Sequence, residues 1–243
     1  MLKKSAVKTL VATHLQNFYK RRIEILSLLQ LKKTLRRKNP YLFRAIGMEE
    51  ADEIIESLLQ AYMSSSDEGI FGNIFFEPLA KAVSCGEISP TPGVDVAVQT
   101  DTRYMAFAVK SGPSVFNADS KQRQDQHFQA LRKRLYKLNK NFDPIVGYCY
   151  GRKRDIPNPR YCFREPAGQA FWEELTGDPD FYLEIIRLMA DEPKKHKENY
   201  LQEWAKAKNR FVKDFVNDFC SKDGSINWEK ILKFNSGKED QRT

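Results

Sequence analysis

The sequence predicts an α/β protein, with a small mixed central β-sheet flanked by helices and with helix-rich N- and C-terminal parts. Two observations carry this prediction. Strand-like apolar stretches are confined to the middle of the chain, at Val94–Gln99, Tyr104–Lys110, Pro144–Tyr150 and Tyr161–Phe163. Apolar residues at helical spacing occupy both sides of that region. Helices, then strands, then helices is the order expected when a sheet is covered by helical layers. With 243 residues, 41% of them hydrophobic and 12% aromatic, the chain can bury a substantial core. No repeat and no linker-like stretch interrupts it. It therefore reads as one domain, 1–243, with N-terminal helices in 1–66, a central core in 67–165 and C-terminal helices in 166–243.

Residues 3 to about 38 read as one long helix, in which Leu10, His14, Phe18, Ile25, Leu29 and Leu35 recur at helical spacing. Its basic clusters, Lys20-Arg21-Arg22 and Arg36-Arg37-Lys38, suit either a solvated face or a phosphate-contacting one. Asn39-Pro40 should end the helix, because proline lacks an N–H and disfavours helix before it. A second helix is expected over 49–63, then a turn and cap at Ser64–Asp67, then a third helix over 68–84. Pro78 is a candidate kink in that helix. Glu77, among apolar neighbours, either faces solvent or is a carboxylate aimed at something. Beyond the central strands, Asp119 or Ser120 should cap a fourth helix running to about 139. Its face of Gln122, Arg123, Gln126, Arg132 and Lys133 is polar and basic. A basic loop comes next, at 151–160. Helices are expected at 168–175, 181–190, 194–220 and 227–233.

The most informative stretch is Gly93–Gly112. Val94, Val96 and Val98 alternate with Asp95, Ala97 and Gln99; Met105, Phe107 and Val109 alternate with Tyr104, Ala106, Ala108 and Lys110. Each strand then has one apolar and one mixed face. With Thr100–Arg103 as the turn, Gln99 pairs with Tyr104 and Asp95 faces Ala108. Lys110 becomes the diagonal neighbour of Asp95, within side-chain reach. Such a pair is either an ordinary exposed ion pair or a carboxylate and ammonium that hold a divalent metal and polarise a water.

Forty Lys and Arg oppose thirty-two Asp and Glu, a formal net charge of +8. That excess points to a polyanionic partner, nucleic acid before membrane, with a merely soluble basic protein as the plainer alternative. The four cysteines are far apart and form no CxxC, which argues against a zinc knuckle. No run approaches the roughly 20 apolar residues of a membrane helix. The N-terminus lacks the apolar core of a secretory signal, so a cytoplasmic setting is expected.

Asp95, a hairpin and then Ala108-Val109-Lys110 resemble the signature of the PD-(D/E)XK nucleases. Five further stretches resemble one branch, the PmeII-like type II restriction endonucleases. They are Asn39-Pro40-Tyr41-Leu42-Phe43, Phe71-Gly72 with Glu77 five residues beyond the glycine, Lys110-Ser111-Gly112-Pro113, Gly168-Gln169 with Phe171-Trp172, and INWEKILKFNSG near the C-terminus. The likeness covers most of the chain from Asn39 onward.

This resemblance implies a restriction-endonuclease-like fold. It also implies sequence-specific, Mg²⁺-dependent hydrolysis of double-stranded DNA at a short palindromic site, with Mn²⁺ as a substitute metal. The enzyme would be a homodimer in a prokaryotic cytoplasm, beside a cognate DNA methyltransferase. Asp95 matches the metal-binding acid, Lys110 the catalytic lysine and Glu77 a helix-borne acid brought to the metal. Ala108 departs from the pattern, which has an acid or glutamine there. Glu77 would then be the second carboxylate, and the Val109 carbonyl a further ligand. Ala108 equally suits a DNA-binding protein with a vestigial nuclease site. DNA contacts are expected from Ser114, Asn117, Lys121, Gln122, Arg123 and Gln126, and from Arg152, Lys153, Arg154 and Arg160, through base edges or through phosphates. The long N-terminal or C-terminal helices are candidates for the dimer interface.

Overall fold

Strand β2 (Arg103–Lys110) is the centre of a three-stranded sheet, with antiparallel β1 (Val96–Gln99) on one side and parallel β3 (Asn141–Tyr148) on the other. This is the expected mixed sheet, and Gln99 pairs with Tyr104 as the turn predicted. A parallel pair needs a crossover, which α6 (Ala118–Leu135) supplies between β2 and β3. The structure, a computed structural model, describes residues 3–84, 86, 91–115, 117–136, 140–153 and 159–238. Two compact units make up the chain: residues 1–18 with 68–193, and residues 19–67 with 194–243. Among the described residues, no helix is long and apolar enough to cross a membrane.

The sheet belongs to the first unit. Because β2 is central, both its faces are buried, not one as the alternation suggests. Met105, Phe107 and Val109 join one apolar cluster, with the start of α1 (Lys4–Leu28), α5 (Glu77–Val83), α7 (Gln169–Thr176) and α8 (Phe181–Met189). Ala106 and Ala108 join the other, with Phe128 and Leu131 of α6. The return strand expected at Tyr161–Phe163 is reduced to two isolated bridges beside β3, Ile145 to Arg164 and Tyr148 to Ala167. Pro166 explains the interruption. It accepts from Tyr148 N through its carbonyl but has no N–H to give back.

The second unit is helical. It contains α2 (Leu31–Leu35), α3 (Pro40–Ala45), most of α4 (Ala51–Phe71), α9 (Glu192–Phe219) from Lys194 onward, and α10 (Trp228–Ser236). Ala207, Phe211, Phe215 and Phe219 form a stripe at i, i+4 spacing that is buried along α9. The expected single helix over 3–38 breaks at Gln30, which is extended. The Arg210 guanidinium makes the break tolerable by donating to Leu26 O and Leu29 O, at 2.9 and 3.3 Å. Asn39-Pro40 begins a helix as well as following one. Asn39 Oδ1 accepts from Tyr41 N, and proline sits at the first helical position, where its missing N–H costs nothing. Ser64–Asp67 is not a turn but part of α4. The Ser65 and Ser66 hydroxyls bond back to Tyr62 O, and both Asp67 oxygens are held by Arg22 at 2.8 and 2.9 Å.

Candidate active site

Asp95 stands immediately before β1, and the backbone there is bulged. The ladder register ends at Val96 opposite Phe107, and continued one step it would set Asp95 opposite Ala108; the Asp95 N–H instead bonds to Phe107 O at 2.8 Å, one step out of register. The bulge also sends Val94 into the α6-side cluster while Val96 enters the other, so the expected common face of the two valines does not form. Asp95 Oδ2 takes the place of a strand partner by accepting from Val109 N at 2.8 Å. Lys110 Nζ lies 4.0 Å from the same carboxylate, with 30% of the lysine side chain and 24% of the aspartate exposed. N–H and C=O of one strand residue point to the same side, so the Val109 carbonyl also faces the β1 edge.

Glu77 reaches this patch from a helix. The expected kink at Pro78 takes the form of a π-turn over Gly72–Phe76, closed by Glu77 N donating to Gly72 O. One extra residue in the turn rotates the next helical turn by about 100° relative to an uninterrupted helix. Gly72 allows the close packing, since a Cβ there would lie 2.9 Å from Ser111 Oγ, just past Lys110. Glu77 begins α5 and pairs with Lys81 at 2.6 Å. Burial pushes the Asp95 carboxyl above the ordinary carboxylate range. Lys110 and the Val109 N–H pull it back, and Glu77 pushes it up again. Asp95 and Glu77 are thus close enough to repel.

Two mutually repelling carboxylates with a backbone carbonyl alongside fit a hard divalent cation. Mg²⁺ takes oxygen ligands and keeps several waters, so one or two carboxylates suffice. Among the described residues, no three His, Cys, Asp or Glu side chains gather as a richer metal cage. Cys149 is beside the same charges, but burial first and Glu77 second keep its thiol protonated. Ala108 is fully buried among apolar neighbours. An acid at 108 would be buried with it, whereas Glu77 approaches from the half-exposed side.

The residues expected at DNA divide into four groups. Gln122, Arg123 and Gln126 on α6, Ser114 on the turn Pro113–Val115, and Arg152 and Arg160 are exposed. Asn117 is exposed too, but its side chain caps α6 by accepting from Ser120 N at 2.9 Å. Lys121 and Lys153 both turn to Glu165. Arg154 lies outside the described residues.

Lys81 and Glu165 are not among the residues that the sequence singles out. The first was detectable, as a lysine four residues beyond Glu77 on a helix; the second shows no local signal. Two of the suggestive motifs are structural. Trp172 Nε1 donates to Cys149 O at 2.8 Å, and Gly168 adopts a positive φ where a Cβ would meet Gly151 O at 2.7 Å. In INWEKILKFNSG, Asn227 caps α10 and Asn235 bonds to the carbonyls of Leu35, Arg36 and Lys38.

No curated protein matches the chain. A family model described as Type II restriction endonuclease EcoO109I matches residues 5–198. The type II restriction endonuclease assignment expected from the motifs stands, and EcoO109I is the matching family where the motifs resembled the PmeII-like branch. Sheet and matched span agree, and the chain belongs to the type II restriction endonuclease EcoO109I family.

Proposed function

We propose that this chain is a Mg²⁺-dependent endonuclease that cuts both strands of DNA at a short palindromic site, as a homodimer. Family membership makes it a type II site-specific deoxyribonuclease with DNA as substrate, and such enzymes generally use a divalent metal. The finer reading is supported by one observation. Asp95 at the bulge, Lys110 at the end of β2 and Glu77 at the start of α5 meet in one half-exposed patch.

Asp95, Glu77 and the Val109 carbonyl are the oxygen donors for the metal. When bound, the metal stabilises negative charge on the scissile phosphate and activates the attacking water. Lys110 contributes three N–H donors on a compact charge. It orients the attacking water and offsets charge that develops on the phosphate. Exposed Gln122, Arg123 and Gln126 suit bidentate contacts to adenine or guanine edges. The two units act together as one nuclease domain. A two-fold dimer would match the two-fold symmetry of a palindrome. A cognate methyltransferase in the same prokaryotic cytoplasm would protect host sites.

Supercoiled plasmid incubated with the protein and Mg²⁺ tests the reading. Discrete fragments are expected, and run-off sequencing of their ends gives the site. A mobility shift without cutting would mean a DNA-binding protein with a vestigial site, for which Ala108 is the motive. Smearing would mean a nonspecific nuclease.

A further inference from the structure

Glu165 is the only charged side chain among the described residues that is buried, 7% exposed, and the patch around Asp95 makes no use of it. Three donors converge on its Oε1. The Tyr148 hydroxyl at the end of β3 and Lys121 Nζ on α6 are each 2.7 Å away, and Lys153 Nζ, just beyond β3, completes the set. The Lys153 ammonium also lies 5.2 Å from the centre of the Tyr148 ring. One ammonium would neutralise one carboxylate. The second is held against the first and leaves the cluster with a surplus positive charge. Stability does not require this, because replacing a buried ionic cluster by apolar residues is often neutral or favourable. Its position is suggestive. Tyr148 is the ladder partner of Lys110, and neighbouring strands are about 4.8 Å apart, so the cluster stands one strand from the catalytic lysine.

We propose that Lys121 and Lys153 form a seat for a DNA backbone phosphate beside the scissile one, and that Glu165 is the positioning residue holding both ammoniums in place before DNA arrives. The proposal rests on the nuclease reading above and deepens it. Lysine side chains carry large rotamer entropy, and fixing them in advance lowers the cost of ordering them on binding. An arriving phosphate oxygen matches the surplus charge without uncovering Glu165.

The test measures DNA affinity against salt in Ca²⁺, with single-turnover cleavage in Mg²⁺ and a thermal melt, for Lys121→Met, Lys153→Met and Glu165→Gln. Each lysine variant should lower the log–log salt slope by about 0.9, the share of one phosphate contact. Glu165→Gln keeps both positive charges but loosens them. It should leave the slope at its wild-type value while lowering affinity and cutting at least about tenfold more slowly at saturating DNA, as lost preorganisation and misplacement of a positioned group predict. Lysine variants with wild-type slopes and only a lower melting temperature would overturn the proposal, as would Glu165→Gln cutting at the wild-type rate. Should Glu165→Gln fail to fold, Lys153→Met decides, because it leaves Glu165 paired with Lys121 and Tyr148. A wild type that cuts, with Lys110→Ala inactive and unchanged lysine slopes, sinks this proposal alone. A wild type that neither binds nor cuts sinks the nuclease reading with it.

Discussion

Strand β2 carries a charged cluster at each end, and both clusters contain two cations and two carboxylates. At its start, Arg164 Nε and Nη2 donate to the two oxygens of Asp143 at 3.0 and 2.9 Å. Arg164 also meets Glu174 at 2.8 Å, and Arg103 pairs with both Asp143 and Glu174. Every charge there touches two of opposite sign. Burial works against the Arg164 charge, but Asp143 and Glu174 hold its pKa above the usual arginine value. At the other end, Glu77 is paired with Lys81, Asp95 is only loosely paired with Lys110, and the two carboxylates repel. The same inventory makes a closed network in one place and an open one in the other. A closed network is what joining strands requires. In the proposed reading the looser one receives a metal ion and a phosphate, and that contrast would separate structural charge from chemical charge.

The largest expected effect breaks the open end. Lys110→Ala should fold, bind DNA in Ca²⁺ and cut at least about a hundredfold more slowly in single turnover, the scale of losing one preorganised charge. Asp95→Ala should cut as poorly and also lose metal-dependent binding. If both variants keep wild-type rates, the two ends are alike and the Asp95–Lys110 pair is structural, contributing about 0–1 kcal/mol as exposed pairs do. Glu77→Ala comes next, with cleavage reduced at least about tenfold and weaker Mn²⁺ binding by calorimetry. Normal cutting by Glu77→Ala would mean that another acid completes the site.

Arg164→Ala addresses the closed end. It leaves Asp143 and Glu174 with too little positive charge, at a cost on the order of 2 kcal/mol after allowing for partial exposure. A domain of this size then melts roughly 4–8 °C lower. Cleavage measured well below that temperature should be unchanged, and a loss of rate with an intact melt would remove the distinction between the ends. The smallest effect concerns pH. The folded state raises the Asp95 pKa, so its contribution to stability is present at low pH and lost as pH rises through the folded value. Asp95→Asn should therefore raise the melting temperature near neutral pH, and the gain should shrink on acidification. Its cleavage should be abolished throughout. An unchanged melt at neutral pH would show that burial does not strain this carboxylate.

Much of the fold comes from local pattern. Period-two and helical spacing place the three strands and most helices, and hairpin geometry alone places Lys110 beside Asp95. These succeed because alternation and turn length act over a few residues, and ladder register is set by the turn. Composition likewise points to a polyanionic partner, and DNA is the substrate of the family.

Other features depend on contacts that no short window contains. The bulge at Asp95 appears only when β1 is paired with β2, and it separates Val94 from Val96. Ser64–Asp67 has turn chemistry but is helical, because Arg22 holds Asp67. Tyr161–Phe163 has strand chemistry but forms no regular strand, because Pro166 cannot complete the ladder beside β3. Lys121 and Lys153 look like free basic residues in sequence, and only the fold brings Glu165 between them. The physical reason is the same in each case. Backbone propensities differ by fractions of a kcal/mol per residue, and a charge left without its partner or a missing ladder donor costs more than several of them.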